Sequence, residues 1–222
     1  MVAVARIDIG ALEQGGFHVT TVFEIYGCVE AAVAAAGSET LIQWMSETRR
    51  RFFPLVADPD WGVRLHQADL AVNKVLAASS RTKARDFADL AAIATYMCPL
   101  GPLILAAAGK PPFYSPQRGI DEIRRRGLSV GDEEYLAVKG MPADWTPAFI
   151  RSELARHLDL AERYIMNAPL ETIGVLAVNH DATPIEVSAS SVGDAVLRKA
   201  TEEPEVMPIP VDTGVADWRR SG

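Results

Sequence analysis

The stretch "NKVLAASSRTKARDFADL", from Asn73 to Leu90, joins two helical patterns through a basic turn. The first pattern begins at Gln67 and contains good helix formers throughout, and the second repeats apolar residues with the 3.6-residue period of an α-helix. Only a few residues, Arg81 to Lys83, separate the two patterns. The sequence therefore predicts two helices in antiparallel or strongly crossed packing.

Lys74 lies on the apolar side of the first predicted helix. Its neighbours at three and four positions are apolar: Leu70, Ala71, Ala77 and Ala78. Asp69 and Asn73 are predicted to lie on a different, polar face. A lysine on an apolar face either extends along its own stem to water or meets a negative partner.

Asp86 and Asp89 are about 60° apart on the second predicted helix, so both carboxylates can approach one point. Two neighbouring carboxylates attract a cation, which could be Mg²⁺ with a nucleotide or simply Arg85, Arg81 or Lys74. Acids in a first turn also complement the helix dipole. On the residues alone, a structural ion pair is favoured, and half of a phosphate-handling site is the alternative.

The composition limits the classes of protein to which the chain can belong. Its 222 residues, with 49% apolar residues, can build a real core, and its net charge of −7 disfavours binding of nucleic acid over the whole surface. Cys28 and Cys98 form no CxxC motif, which predicts two buried thiols in a cytoplasmic protein. No apolar run approaches the roughly 18 residues of a membrane span, and no targeting segment is predicted.

The first part of the chain is predicted to be rich in strands. Residues 2–9, with several β-branched side chains, predict a strand, as do residues 16–26 and 40–45. The Ala-rich residues 27–37 fit either a short helix or a strand. The run "RRRFF" from Arg49 predicts a solvated strand end followed by two core phenylalanines, with contact to RNA or phosphates as the alternative.

The second part is predicted to be mainly helical. A short buried helix is expected after Pro99, and another begins at the N-cap Ser115 and ends before Gly127. Residues 130–145 are predicted to be a connection, followed by an amphipathic helix that starts at Thr146 and Pro147. Residues 172–189 predict two strands around the turn "NHDATP", and the proline-rich residues 202–222 are predicted to run over the surface.

From about Gly16 to Ile120 the chain resembles the AbiEii/AbiGii toxin family of nucleotidyltransferases. The resemblance rests on "DLAVNKVLA", Asp69 to Ala77, followed in order by "RDFADL", Arg85 to Leu90. It implies an α+β fold, with a nucleotidyltransferase-like mixed sheet (partial) packed with helices, followed by a helical segment and a C-terminal β-hairpin. The expected domains are residues 1–130, the core, and residues 131–222.

The resemblance also implies an activity and its residues. Lys74 and Arg85 would bind the nucleoside triphosphate, and Asp86 or Asp89 would orient or deprotonate an RNA or protein acceptor, for example tRNA. Mg²⁺ and a nucleoside triphosphate are the implied cofactors, and a cognate antitoxin protein is the implied partner.

The metal-binding motif of the family, a glycine-rich turn with an Asp-x-Asp strand, is not found in the sequence. Asp8 is the candidate remnant of that motif, and Gln43 stands where another metal-binding acid is expected. The sequence thus predicts a metal site that is lost or encoded upstream of Met1. A nucleotidyltransferase completed by further residues competes with a non-catalytic relic that binds a nucleotide or an antitoxin, and the chain as given is predicted to bind triphosphate weakly without turnover.

Overall fold

A computed structural model describes residues 2–25, 27–45, 50–60, 62–111 and 115–202. The chain divides into two compact units, Met1–Thr48 and Arg49–Gly222. Within the second unit, helices on either side of residue 130 share one hydrophobic core. The division in the structure therefore lies at residue 48, far from the boundary at 130 that the family resemblance implies.

The first unit is a helix followed by a three-stranded antiparallel meander. Its elements are α1 (Val2–Gln14), β1 (His18–Ile25), β2 (Cys28–Ala35) and β3 (Ser38–Met45). The turn between β2 and β3 contains Ala36 and Gly37, both with positive φ. The Ala-rich segment is thus a strand, and its alternating residues Val29, Ala31 and Val33 are buried.

The prediction of a strand over residues 2–9 is wrong, because these residues begin helix α1. Val2, Val4, Ile7 and Ile9 suggested a strand by their β-branched side chains. However, Ala5 is fully buried and, with Asp8, Ile9 and Leu12, follows the spacing of one helix face. Packing of α1 against β1 and β2 thus outweighs the local preference of β-branched residues for strands.

The second unit is mainly helical, with two small hairpin-like sheets. Its elements are β4 (Val56–Asp58), β5 (Gly62–Arg64), α2 (Gln67–Ser80), α3 (Ala84–Tyr96), α4 (Leu100–Ala107), α5 (Pro116–Ser129), α6 (Asp132–Leu136), α7 (Pro147–Asn167), β6 (Val175–Val178) and β7 (Val196–Lys199), with short 3₁₀ helices at Leu170–Thr172 and Val192–Asp194. Large apolar side chains from α3, α4, α5 and α7 form the core. The predicted positions of α2, α3, α4 and α7 are confirmed.

Two of the predicted boundaries in this unit are wrong. Helix α5 begins at the predicted cap Ser115 but continues past Gly127 to Ser129. Gly127 is buried, and a side chain there would approach Phe87 and Leu154, so this glycine serves close helix packing and does not end the helix. The predicted connection contains α6, whose first turn is made of three acids that complement the helix dipole.

The C-terminal hairpin is also paired differently from the prediction. Strand β6 pairs in antiparallel fashion with β7, far along the chain, whereas the segment after the turn makes only an isolated bridge between Val178 and Pro184. The side chain of Asn179 accepts hydrogen bonds from the backbone of Asp181 and Thr183, which confirms the turn. Pro184 cannot donate a backbone hydrogen bond, which limits pairing there.

The α+β class is confirmed, since the chain combines helices with small sheets. All strand pairings in the described residues are antiparallel, so the expected mixed sheet is wrong for that part of the chain. No helix among the described residues is long and apolar enough to cross a bilayer. The predicted surface course of residues 203–222 and the position of Arg49 lie outside the described residues.

Candidate functional site

The two helices of the motif region meet at a short basic turn. The ring nitrogen of His66 accepts a hydrogen bond from Ala68 N at 3.2 Å and caps the start of α2. Helix α2 ends at Ser80, the chain becomes extended at Arg81, and α3 starts after Lys83. No side chain caps the N-terminus of α3. The turn thus places the C-terminal half of α2 beside the first turn of α3.

Lys74 joins both aspartates of α3. Its Nζ lies 3.2 Å from Asp86 Oδ1 and 2.5 Å from Asp89 Oδ2. The lysine side chain retains 27% of its exposure, so it reaches its partners at the edge of the protein and remains accessible to solvent. The expected convergence of Lys74 with the acids across two adjacent helices is therefore observed.

Asp86 is the buried centre of this group, with no exposed side-chain surface. Arg81 binds it through both oxygens, at 2.7 Å from Nε to Oδ2 and 3.2 Å from Nη2 to Oδ1. Burial acts to raise the pKa of Asp86, but the hydrogen bonds and charges of Arg81 and Lys74 outweigh it, and the pKa is lowered. The same hydrogen bond raises the pKa of Arg81. Asp86 is therefore ionised and fully engaged.

Asp89 and Arg85 are placed differently from Asp86. Asp89 keeps 40% of its side-chain exposure and contacts Lys74 from the solvent side. Arg85 is exposed on α3 and forms no ion pair with any described residue. We refer to Lys74, Arg81, Asp86 and Asp89 as the charge cluster, in which the second cation is Arg81.

Asp8 belongs to the first compact unit, whereas the charge cluster belongs to the second. It lies on helix α1 in the first unit, so the expected strand around it is wrong, and its carboxylate accepts a hydrogen bond from the Trp44 indole at 2.9 Å. Gln43 on β3 donates a hydrogen bond to Glu30. No three His, Cys, Asp or Glu side chains in the described ranges are grouped so that they could hold a metal ion. These residues therefore do not fit the expected magnesium site.

A second buried ion pair, between Lys110 and Asp69, was missed by the sequence reasoning. Both side chains are fully buried, with Lys110 Nζ 2.9 Å from Asp69 Oδ1 and 3.0 Å from Asn73 Oδ1. Asp69 also accepts hydrogen bonds from the backbone N–H groups of Phe52 and Phe53. The polar face of α2 that carries Asp69 and Asn73 is therefore an interior polar site. The sequence signal that could have indicated this pair is Lys110 itself, a lysine shortly after the fully apolar helix α4.

The other charged and aromatic motifs have structural roles. Phe52 and Phe53 are buried, as expected for core phenylalanines. Arg124 pairs with Asp159 and Glu162 on α7, and the two following arginines pair with Glu122. Arg124 therefore links α5 to α7, and the two following arginines form ion pairs within α5. All three also lie near the C-terminus of α5, where cations complement the helix dipole. Cys98 is a buried free thiol, and Cys28 is a partly buried one.

No family model, no curated protein and no solved structure matches the chain. The chemistry of the charge cluster must therefore be argued from its geometry. Lys74 and Arg81 are two cations with accessible surface, they lie beside an uncapped helix N-terminus, and a buried carboxylate fixes them. The two carboxylates of the cluster balance the two cations, so an anion such as a phosphate chain would bind through the accessible N–H groups of Lys74 and Arg81 and the first turn of α3.

Proposed function

We propose that the chain is a nucleotidyltransferase-like protein whose charge cluster binds the phosphates of a nucleoside triphosphate. The observation that carries the proposal is the convergence of Lys74 and Arg81 on the buried Asp86 at the start of α3. Cations held by a buried carboxylate are positioned before a ligand arrives, which reduces the entropy lost on binding. The order of "DLAVNKVLA" and "RDFADL" supports the same assignment.

The proposal gives each residue a separate role. Lys74 and Arg81 contact phosphate oxygens, and the uncapped first turn of α3 adds the positive end of a helix dipole. Asp86 is a positioning residue, because its oxygens are already occupied by the two cations. Asp89 is the better candidate to orient or deprotonate an acceptor, since it is the partly exposed carboxylate. Arg85, which is exposed nearby, contributes long-range attraction.

The family resemblance implies the activity, which is transfer of a nucleotidyl group to an RNA or protein acceptor such as tRNA, under the control of an antitoxin protein. Mg²⁺, when bound with the triphosphate, would neutralise charge on the phosphates. The described residues provide no metal-holding group of their own, so no step is assigned to protein ligands of the ion.

A second candidate function is a nucleotide- or antitoxin-binding module without catalysis. The specific observation in its favour is that both oxygens of Asp86 form ion pairs with Arg81 and Lys74, and that Lys74 also pairs with Asp89. Two carboxylates neutralised in this way have less capacity to act as bases. Binding of phosphate would then persist without turnover.

The test is to incubate the purified chain with labelled nucleoside triphosphates, Mg²⁺ and total tRNA, and to measure both retention and transfer of the label. Transfer that is lost in the Lys74→Ala variant supports the enzyme, and retention without transfer supports the binding module. The matched control is Lys139→Ala, which removes an exposed lysine that forms no hydrogen bond or ion pair with any residue that the structure describes. If the parent chain neither retains nor transfers the label, or if the two variants behave equally, both candidate functions are ruled out.

A further inference from the structure

The second unit contains a cavity of about 380 Å³ that does not involve the charge cluster. It lies between the end of α3, the start of α4, helix α7 and the segment at Glu186. Its volume falls within the range of small-molecule sites, which is roughly 300 to 1,000 Å³. The cavity therefore has the size to hold a small organic molecule.

Among the residues that the structure describes, Glu186 is the one acidic side chain that lines the cavity. Within the part of the chain that the structure describes, its carboxylate forms no hydrogen bond and no ion pair. Burial raises its pKa above the ordinary value for a glutamate, with no positive group to offset that effect. The side chain is exposed at the rim of the cavity, so this unpaired carboxylate can attract a cation that enters from solvent.

The end of α3 adds partial negative charge to the same wall. Ala94, Thr95 and Tyr96 line the cavity and form the last residues of that helix. The backbone hydrogen bonds that follow the helix, from the N–H groups of residues 97 and 98, both go to Ile93 O. The carbonyl oxygens of residues 94–96 are thus left at the negative end of the helix dipole.

Positive groups near the cavity do not cancel this field. His157 lines the cavity, and burial lowers its pKa, so its ring is neutral at neutral pH. Arg156 lies beside that ring, with Nη2 2.7 Å from His157 Nε2. However, Arg156 is itself paired with Glu153 at 2.6 Å. No positive group among the described lining residues is therefore left to pair with Glu186.

The remaining lining is apolar and partly aromatic. Met97, Leu100, Leu160 and Ala161 supply most of it. Tyr96 is largely exposed at the rim, where its ring stacks on Trp145 with a centroid distance of 5.9 Å. We propose that this cavity binds a small organic cation, an amine or amidine group carried on an apolar or aromatic body, with Glu186 as its counter-ion.

The test compares three probes of one shape, the cation benzamidine, the neutral benzamide and the anion benzoate, by NMR titration of the ¹⁵N-labelled chain. We expect benzamidine to bind roughly two- to fivefold more tightly than benzamide, as one exposed ion pair provides, and benzoate to bind least. The backbone signals of Thr95, Leu160 and Ala161 should shift.

Glu186→Gln keeps the shape of the side chain and removes its charge, so we expect it to abolish the preference for benzamidine. Glu171→Gln, at an exposed glutamate that does not line the cavity, should leave that preference unchanged. Leu160→Trp should block binding of all three probes by filling the cavity. Equal affinities of the three probes, an unchanged preference in Glu186→Gln, shifts elsewhere in the chain, or no binding would overturn the proposal.

Discussion

Asp86 holds together the helix junction around which the proposed site is built. It is completely buried, yet two cations from different segments reach its oxygens. Asp86→Ala removes charge-assisted hydrogen bonds, but Lys74 and Arg81 keep accessible surface and can turn to water, so the cost is about 1.5 to 3 kcal/mol. We therefore expect Asp86→Ala to lower the free energy of unfolding by about that amount in urea denaturation.

The matched control for Asp86 is Asp89→Ala, which removes a partly exposed carboxylate that shares the same lysine. Exposed ion pairs contribute about 1 kcal/mol or less. Equal destabilisation by the two substitutions would contradict the assignment of Asp86 as the buried positioning residue.

The lowered pKa of Asp86 also predicts a dependence of stability on pH. Because this pKa is lower in the folded than in the unfolded chain, the stabilisation is fully present above the unfolded pKa, at about 4. It is lost as the pH falls through the folded pKa. The free energy of unfolding of Asp86→Asn should therefore fall less steeply with acidification than that of the parent chain. Identical slopes would show that Asp86 is not held ionised by Arg81 and Lys74.

Lys110 provides a second test at the scale of single residues. Lys110→Met leaves Asp69 buried without its lysine, while Asp69 still holds the backbone N–H groups of Phe52 and Phe53. We expect a loss of about 3 to 5 kcal/mol in the free energy of unfolding, compared with less than about 0.5 kcal/mol for Lys139→Met on the surface. Thermal or urea denaturation that shows similar stabilities for both variants would refute a structural role for the pair.

At the scale of elements, the end of α4 packs closely on the segment before β6. A side-chain carbon added at Gly109 would lie 2.1 Å from Gly174 O, and Gly174 N donates to Leu105 O. Because the obstruction is backbone, it cannot be relieved by a rotamer change. Gly109→Ala should destabilise the chain by about 1 to 3 kcal/mol or more, as overpacking does.

Gly193→Ala is the control for Gly109→Ala, since nothing lies within 4 Å of a side-chain carbon added there. We expect its melting temperature to stay close to that of the parent chain. If Gly109→Ala melts at the same temperature as Gly193→Ala, the two segments do not approach each other as described.

The elements differ in how well the sequence predicts them, and the reasons are physical. Helices α2, α3 and α7 carry a sustained apolar period, and α7 also begins with the cap Thr146 followed by Pro147, so local pattern defines them. The β-branched residues of α1 predict a strand, but packing against the sheet overrides that preference and the segment is a helix. The β6–β7 pairing joins distant segments, which no local pattern reveals.

The charge cluster was predictable for a similar reason. Lys74, Asp86 and Asp89 lie within one helix-turn-helix segment, so helical geometry alone brings them together. The choice of Arg81 over Arg85 as the second cation depends on the conformation of the turn. The Lys110–Asp69 pair joins residues far apart in the chain and could come only from the folded structure.

At the scale of the whole molecule, the chain combines two compact units, and the charge cluster belongs to the second. Asp8, the expected metal ligand, belongs to the first and lies on a helix. Phosphate binding by Lys74 and Arg81, the central claim of the proposed function, can therefore be tested in the full chain through substitutions in the second unit alone. The test assumes no metal ligand.

The most direct test of that claim is the affinity of the purified chain for ATP, measured by isothermal titration calorimetry at low ionic strength. The proposed function predicts weak but measurable binding that falls roughly tenfold in Lys74→Ala, as loss of one charge-assisted contact implies, and is unchanged in Lys139→Ala. Binding that is equal in all three proteins, or absent from the parent chain, would contradict a phosphate site at Lys74 and leave the charge cluster as a structural ion group.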